Sequence, residues 1–185
     1  GLRVLIDGGN AIDAAVATAA ALNVVEPYMS GIGGAGFMHI YSTRDQSQRV
    51  LDYMGLSAKA ATLDLFDDEE RRLRGPFPVL VPGACGGWLE ALDRYGTMDP
   101  LTVFGPAIEY AESGFAVTVK NHEFIAGAAT DLLRYAGSDV PYLIDARAPA
   151  PGDVIVQQDL ATTLRTVAEA GAEVFYEGEL GRRIV

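Results

Sequence analysis

A glycine-rich segment offers the first candidate chemistry in this chain. Residues 31–36 read Gly-Ile-Gly-Gly-Ala-Gly and satisfy G-x-G-x-x-G, the pattern that cradles a dinucleotide pyrophosphate when it joins a strand to a helix. Here the surrounding pattern predicts the reverse order, a helix before the glycines and a strand after them, so that no helix N-terminus would face an anion. We therefore interpret the segment as a sharp backbone turn that glycine permits, and a hydride-transferring enzyme stays an outside hypothesis.

The titratable and nucleophilic side chains do not form a recognisable constellation. His39 falls in a predicted strand and His122 early in a predicted helix, and neither has a partner at the spacing of a metal site or a catalytic triad. Cys85 follows a helix start, which can lower a thiol pKa, but no basic residue adjoins it, so a small buried side chain is the better interpretation. Two histidines and one cysteine cannot build a Cys/His zinc site, and we predict neither a metal nor a cofactor.

Hydrophobic periodicity and chain breakers predict the elements that position these residues. Residues 10–25 are Ala-rich and apolar on nearly every side, which indicates a helix packed on both flanks, with Asn10 as its N-cap. The glycine segment then leads into a β-hairpin of residues 37–41 and 49–54. The remaining predicted elements are a strand at 79–81, helices at 84–95, 100–112, 118–135 and 158–170, and a last helix that starts near Gly178. This order favours an α+β fold over βαβ winding.

Composition and charge exclude several classes of function. The 185 residues are 49% hydrophobic and 21% charged, which is typical of a globular chain long enough for one domain with a core. A net charge of −11 disfavours nucleic acid and anionic membrane surfaces as partners, and we expect no apolar run of the ~20 residues that a membrane helix needs. The single cysteine and the acidic charge favour the cytoplasm over the periplasm and leave the compartment open. The sequence begins and ends within apolar patterns, so we expect it to be a segment of a longer chain.

Nine short motifs occur along the chain in a fixed order. They are GGNAIDAAVA at residues 8–17, VEP at 25–27, SGIGGAGF at 30–37, VPG at 81–83, YGT at 95–97, PAI at 106–108, AESGF at 111–115, QDLA at 158–161 and FYEG at 175–178. Together, and in register over essentially the whole chain, they resemble the large subunit of the gamma-glutamyltranspeptidase family. Several independent motifs in the same order make this resemblance far more specific than the glycine segment alone.

The resemblance implies an N-terminal-nucleophile hydrolase, an αββα sandwich made as one precursor that cuts itself. Residues 1–185 would form one segment of the large subunit and supply helices and two to three strands. The second chain, the small subunit, would begin with a threonine whose hydroxyl attacks the substrate amide, and a free α-amine with a pKa near ~7.7 to 8.0 would serve as its general base. We therefore expect no catalytic residue in this chain, whose Thr162 and Thr163 fall inside a predicted helix.

The resemblance also assigns substrate-binding residues, with one departure. In the family, an arginine in a Leu-Asp-Phe-Arg run grips the α-carboxylate of the γ-glutamyl group. The matching run here is Leu-Asp-Tyr-Met, which assigns Asp52, Tyr53 and Met54 to the substrate site, with Met54 in place of the arginine. Arg49 is a poor substitute because alternate residues of a strand face opposite sides. A bidentate charged pair contributes on the order of 3 to 5 kcal/mol, or about two to three decades of affinity, so we expect weak action on γ-glutamyl amides.

The resulting expectation is an autoprocessed amide hydrolase or acyltransferase. Its substrate would be a small amide without a γ-glutamyl group, as in the acylase and oxamate-amidase branches of the family. Two alternatives stay open: a true γ-glutamyltransferase or glutathione hydrolase whose carboxylate clamp comes from another cation, and an uncleaved homologue that serves as a non-catalytic scaffold. A dimer of heterodimers also stays open as the assembly.

Overall fold

The computed structural model describes residues 1–184, in which helices predominate. The helices are α1 (Leu2–Ile6), α2 (Ala11–Val25), α3 (Glu69–Leu73), α4 (Ala84–Tyr95), α5 (Pro100–Ser113), α6 (Val119–Tyr135), α7 (Gln158–Ala170), α8 (Ala172–Tyr176) and α9 (Glu179–Ile184), with a 3-10 helix at Leu63–Phe66. The strands are β1 (Gly36–Ser42), β2 (Ser47–Tyr53), β3 (Phe115–Ala116) and β4 (Val154–Ile155). Helices together with antiparallel strand pairs confirm the predicted α+β class.

Helix α2 begins where its sequence predicts. The Asn10 side chain accepts hydrogen bonds from the amides of Ile12 and Asp13, and the Asp13 carboxylate accepts one from the Asn10 amide. This reciprocal pair satisfies amides that a helix start leaves without intrahelical partners. The Asn10 amide-to-carboxylate distance is 2.8 Å, and the helix stops two residues before Pro27.

The core lies between α2, α5 and α7, with α4 packed against α2. Small side chains at Ala17, Ala20, Ala107 and Ala111 are buried, which lets the α2 and α5 backbones approach closely. Larger buried side chains fill the remaining space, among them Phe104, Val103, Leu164 and Val167. Helix α2 thus contacts both α4 and α5, yet Ala15 and Leu22 stay exposed, so its burial is less complete than the sequence predicts.

The β1–β2 hairpin is antiparallel and runs from the Gly36–Tyr53 pair to the Ser42–Ser47 pair at its turn. Its inner face, which includes Met38, Ile40 and Leu51, packs on the core, whereas Phe37 and Val50 on the outer face are exposed. The second sheet pairs β3 with β4 and connects the end of α5 to the start of α7. The predicted hairpin is therefore confirmed, and each strand begins or ends within two residues of its predicted bound.

The predicted strand at residues 79–81 is wrong. These residues are irregular, and Val81 makes one backbone hydrogen bond to the Leu56 carbonyl (2.8 Å). Pro78 and Pro82 flank the segment and cannot donate ladder hydrogen bonds, which prevents a regular strand. The segment before it, residues 63–74, is rich in charged residues, has no buried side chain and contains the 3-10 helix and α3. The short elements α1, α3, α8, β3 and β4 were not predicted from the sequence.

Candidate functional site

The glycine-rich segment lies between α2 and β1, which is the predicted order. The Gly34 amide donates to the Gly31 carbonyl (2.8 Å), and the Gly34 carbonyl accepts hydrogen bonds from the amides of Gly83 and Ala84, both at 2.9 Å. A helix N-terminus, that of α4, does meet the segment, contrary to the expectation from sequence. The amides of Gly83 and Ala84 already have the Gly34 carbonyl as their acceptor, so these contacts favour a structural joint over an anion cradle.

The end of β2 packs directly on α4 through glycines. A Cβ atom at Gly87 would lie 2.3 Å from Cγ of Tyr53, and one at Gly83 would lie 2.0 Å from the Tyr53 carbonyl oxygen. The Tyr53 ring also lies against Gly36. Because glycine in a helix interior costs about 0.5 to 1 kcal/mol relative to alanine, Gly87 is explained by this close approach. Gly87 was not assigned from the sequence, although two adjacent glycines inside a predicted helix are a signal for a close contact.

Asp52 and Met54 lie together at the exposed end of the hairpin. The Asp52 carboxylate accepts a hydrogen bond from the Met54 amide at 2.9 Å, and the Met54 side chain is 40% exposed. Tyr53, between them, points to the inner face and packs on the core. Of the three residues assigned to substrate binding, two are therefore accessible to a ligand and the third supports the strand beneath them.

Arg49 does not reach the Met54 end of β2. It pairs with Ile40 in the strand register, and its guanidinium forms an ion pair with Asp45 (2.7 Å) at the hairpin turn. The hydrogen bond from Arg49 is the main cause of a lowered Asp45 pKa. At the rise of a β-strand, position 49 lies about 16 Å from position 54. Arg49 therefore stabilises the turn. The prediction that it is a poor substitute rested on the two faces of the strand, and the structure adds a second reason, since its guanidinium is held by Asp45 at the other end of β2.

A large cleft lies elsewhere on the molecule. It has a volume of about 610 Å³ and is lined by parts of α1, α2, α5 and α6, including Glu26, Tyr28 and Lys120. Its lining contains no residue of the glycine segment or of β2. Arg3 and Glu109 at its rim form an exposed ion pair at 3.2 Å, and such pairs contribute little to stability. The Asp52–Met54 end is thus an open surface of this chain and lies outside that cavity.

The other candidate nucleophiles and ligands stay separate. Cys85 is fully buried, and burial raises its pKa to about 12, so its thiol is protonated at neutral pH and acts as a small core side chain, as predicted. His39 is exposed on β1, whereas Nδ1 of His122 lies 2.8 Å from the Pro149 carbonyl oxygen. Residues 1–184 contain no group of three or more His, Cys, Asp or Glu side chains placed to hold a metal ion.

The internal threonines of α7 make ordinary helix contacts. The hydroxyls of Thr162 and Thr163 donate to the carbonyls of Gln158 and Asp159, at 3.0 and 2.9 Å. Such bonds to the preceding turn are common for helical threonines.

No helix within residues 1–184 combines the length and the apolar character needed to cross a bilayer.

Sequence reasoning missed a buried carboxylate that joins two of the motifs. Asp13 is fully buried and accepts hydrogen bonds from the Thr97 hydroxyl (2.6 Å) and from the amides of Asn10, Thr97 and Met98. The Asn10 side chain adds a bond to the Tyr95 carbonyl (2.6 Å). Burial by itself raises the pKa of Asp13, but the hydrogen bonds, first that of the Thr97 hydroxyl, outweigh it and the pKa is lowered. Asp13 thus fixes the start of α2 against the turn between α4 and α5.

Comparison with known proteins shows which family the sequence of this chain resembles. Residues 1–185 match a family model described as Gamma-glutamyltranspeptidase. The chain is 39% identical over 192 residues to the glutathione hydrolase proenzyme of Bacillus subtilis (strain 168), covering 100% of this chain and 32% of that protein. It is 40% identical over 196 residues to the Acylase ACY 1 proenzyme of Pseudomonas sp. (strain V22), covering 100% of this chain and 35% of that protein. The chain therefore spans roughly a third of the length of these relatives.

A solved structure shows the same fold. The crystal structure of Helicobacter pylori gamma-glutamyltranspeptidase superposes with a TM-score of 0.94 at 34% identity, over 99% of this chain and 54% of that chain. This agreement confirms the fold prediction, an α+β contribution to the αββα sandwich of N-terminal-nucleophile hydrolases.

Proposed function

Because the chain belongs to the gamma-glutamyltranspeptidase family, we propose that it is the large-subunit part of an autoprocessed amide hydrolase or acyltransferase. Its preferred substrate is a small amide without a γ-glutamyl group, of the acylase or oxamate-amidase kind. The two relatives above are both named proenzymes, one a glutathione hydrolase and the other an acylase. Both names support amide hydrolysis or acyl transfer as the reaction class. Because the two names differ in substrate, the acyl group is inferred from this chain's own residues.

Met54 is the observation that carries the proposed substrate class. It lies at the exposed end of β2 beside the Asp52 carboxylate, where the family resemblance expects an arginine. A thioether cannot form an ion pair with a carboxylate, and the neighbouring Asp52 repels one. Arg49, the cation on the same strand, is held in an ion pair at the hairpin turn. A neutral acyl amide avoids both penalties, whereas oxamate, which carries a carboxylate on its amide carbonyl, does not. The residues at this end of β2 therefore favour the acylase kind over the oxamate-amidase kind.

The proposed partner is the small subunit made from the same precursor. The outer face of the hairpin exposes Phe37, Tyr41 and Val50, at 59%, 53% and 63%. In the described part of the chain β1 and β2 pair only with each other, so each strand keeps one unpaired edge. A two-stranded hairpin with open edges is a ready template for further strands. The catalytic threonine is assigned to that partner, where its own α-amine takes the hydroxyl proton during attack.

In the proposed reaction, the threonine hydroxyl of the partner attacks the amide carbonyl and the amine leaves with a proton. Water then hydrolyses the acyl-enzyme to the acid, or an acceptor amine takes the acyl group. The large subunit contributes the wall that contacts the acyl group, and no step is assigned to a side chain of residues 1–184. A dimer of such heterodimers is an open possibility for the assembly.

Hydrolysis rates over a panel of amides test the substrate class. We expect the complete protein to hydrolyse its best simple acyl amide with a kcat/KM at least about tenfold above that for a γ-glutamyl anilide, because the carboxylate of the anilide meets no cation at Met54. Oxamate belongs in the same panel, where it tests whether a carboxylate on the amide carbonyl is tolerated. A second candidate function is true γ-glutamyl transfer, with another cation binding the α-carboxylate. The observation that supports it is the 39% identity to a glutathione hydrolase proenzyme. A γ-glutamyl anilide as the best substrate of the panel would establish that candidate instead.

A further inference from the structure

The first turn of α4 is capped by a residue from a distant helix. The Tyr176 hydroxyl, at the end of α8, accepts a hydrogen bond from the Gly86 amide (2.9 Å) and donates one to the Pro82 carbonyl (2.7 Å). The N-cap of α4 is Gly83, which has no side chain to do this. Because the first amides of a helix lack intrahelical acceptors, the Tyr176 hydroxyl takes the place of the missing side-chain cap.

The same turn of α4 supports both parts of the candidate site. The amides of Gly83 and Ala84 bond to the Gly34 carbonyl of the glycine segment. Gly83 and Gly87 lie directly under the Tyr53 carbonyl and ring. Any displacement of this turn must therefore move Tyr53, and with it the neighbouring Asp52 and Met54, because the close contacts leave no free space to absorb it.

The Tyr176 ring lies at the edge of the core and is 37% exposed. It meets the buried Phe175 edge to face, with centroids 5.2 Å apart. A Cβ at Gly86 would lie 3.0 Å from the Tyr176 hydroxyl oxygen, so glycine at this position leaves room for the hydroxyl to approach the helix. The buried neighbour and the two hydrogen bonds of the hydroxyl together hold the ring against α4.

We infer that Tyr176 is a positioning residue for the substrate wall formed by Asp52 and Met54. It acts through the first turn of α4 and does not touch the substrate. The inference rests on the proposed function, which places an acyl group against that wall. Since Tyr176 orients a binding surface and the nucleophile belongs to the partner, its loss should weaken substrate binding more than it slows the chemical step.

The test compares Tyr176→Phe with Tyr142→Phe in the complete protein. The Tyr142 hydroxyl also makes a tertiary hydrogen bond, but to Gln157, at 2.9 Å, and not to the first turn of α4. With the amide that the wild-type protein hydrolyses best, we expect KM to rise about tenfold in Tyr176→Phe while kcat stays within about twofold, and both constants to stay unchanged in Tyr142→Phe. An unchanged KM in Tyr176→Phe, or an equal rise in both variants, would overturn the inference.

Hydrogen exchange separates this inference from the proposed function. In Tyr176→Phe, and not in Tyr142→Phe, we expect faster amide exchange at residues 31–37 and 83–87, which requires no substrate. Unchanged exchange there would overturn the positioning role whatever the activity. A wild-type preference for a γ-glutamyl anilide would refute the proposed substrate class, yet the KM comparison would still be made with that anilide and would decide the role of Tyr176.

Discussion

Replacement of Asp13 by asparagine is expected to lower the free energy of unfolding by about 3 kcal/mol or more at pH 7. The carboxylate is fully buried and is surrounded by donors: the Thr97 hydroxyl and three backbone amides. An asparagine would direct its own NH₂ group at some of these donors and leave buried amides without acceptors. Denaturant unfolding of the wild type and the variant, with equal slopes, measures the difference.

Asp99→Asn is the matched control for this substitution. Asp99 is also a helix-capping carboxylate, with bonds from the Thr102 amide and hydroxyl at 3.0 and 2.6 Å, but it is exposed. Because asparagine caps a helix about as well as aspartate does, its replacement should cost less than about 0.5 kcal/mol. Equal losses in the two variants would contradict the claim that burial makes Asp13 decisive.

The effect of Asp13→Asn should also depend on pH in a defined direction. The pKa of Asp13 is lowered in the folded protein, so the folded state favours the carboxylate. Its stabilising contribution is therefore present above the unfolded pKa of about 3.9 and is lost as the pH falls through the lower folded value. The stability difference between wild type and variant should shrink below about pH 4, and a difference that grew there would be inconsistent with a lowered pKa.

Met54→Arg is expected to improve binding of a γ-glutamyl substrate by about two decades, measured as a fall in KM or in the inhibition constant of a γ-glutamyl analogue. The new guanidinium can bind the α-carboxylate with two parallel hydrogen bonds. It would also lie beside Asp52, whose carboxylate accepts the amide hydrogen bond of residue 54 at 2.9 Å. That neighbour can orient the fork toward the ligand.

Thr43→Arg controls for the added charge. Thr43 is an exposed residue of the hairpin turn, outside the set proposed to face the partner. The length of β2 separates this turn from Met54 by about 20 Å, so an arginine at position 43 should leave γ-glutamyl binding unchanged. If Thr43→Arg helped as much as Met54→Arg, the gain would come from net charge alone. If neither variant helped, another cation would already serve as the clamp.

Local signals in the sequence predict the long helices and the hairpin. Asn10 and Pro27 delimit α2, and glycines follow the ends of α4, α5 and α7, so each helix could be placed to within a few residues. The short strands β3 and β4 pair residues 115–116 with 154–155, and two-residue strands have no periodicity to detect. The predicted strand at 79–81 is wrong because the prediction rested on the apolar run and gave too little weight to Pro78 and Pro82, which cannot donate ladder hydrogen bonds.

The candidate site was only partly predictable, for the same physical reason. Met54 can be read directly from the sequence, and the family resemblance identifies it as the position where an arginine is expected. In contrast, the Asp13–Thr97 bond joins residues 84 positions apart, and the Tyr176–Gly86 bond joins residues 90 apart. Contacts of this range depend on how the helices pack, which no local pattern encodes. The substrate-binding roles of Asp52, Tyr53 and Met54 stay predictions.

The central claim is that this chain shapes a substrate wall while a second chain from the same precursor brings the nucleophile. Intact-mass spectrometry of the purified, active protein tests it most directly. We predict two polypeptides, one containing residues 1–185 and the other beginning with threonine. A single uncut polypeptide in a preparation that hydrolyses amides would contradict the claim.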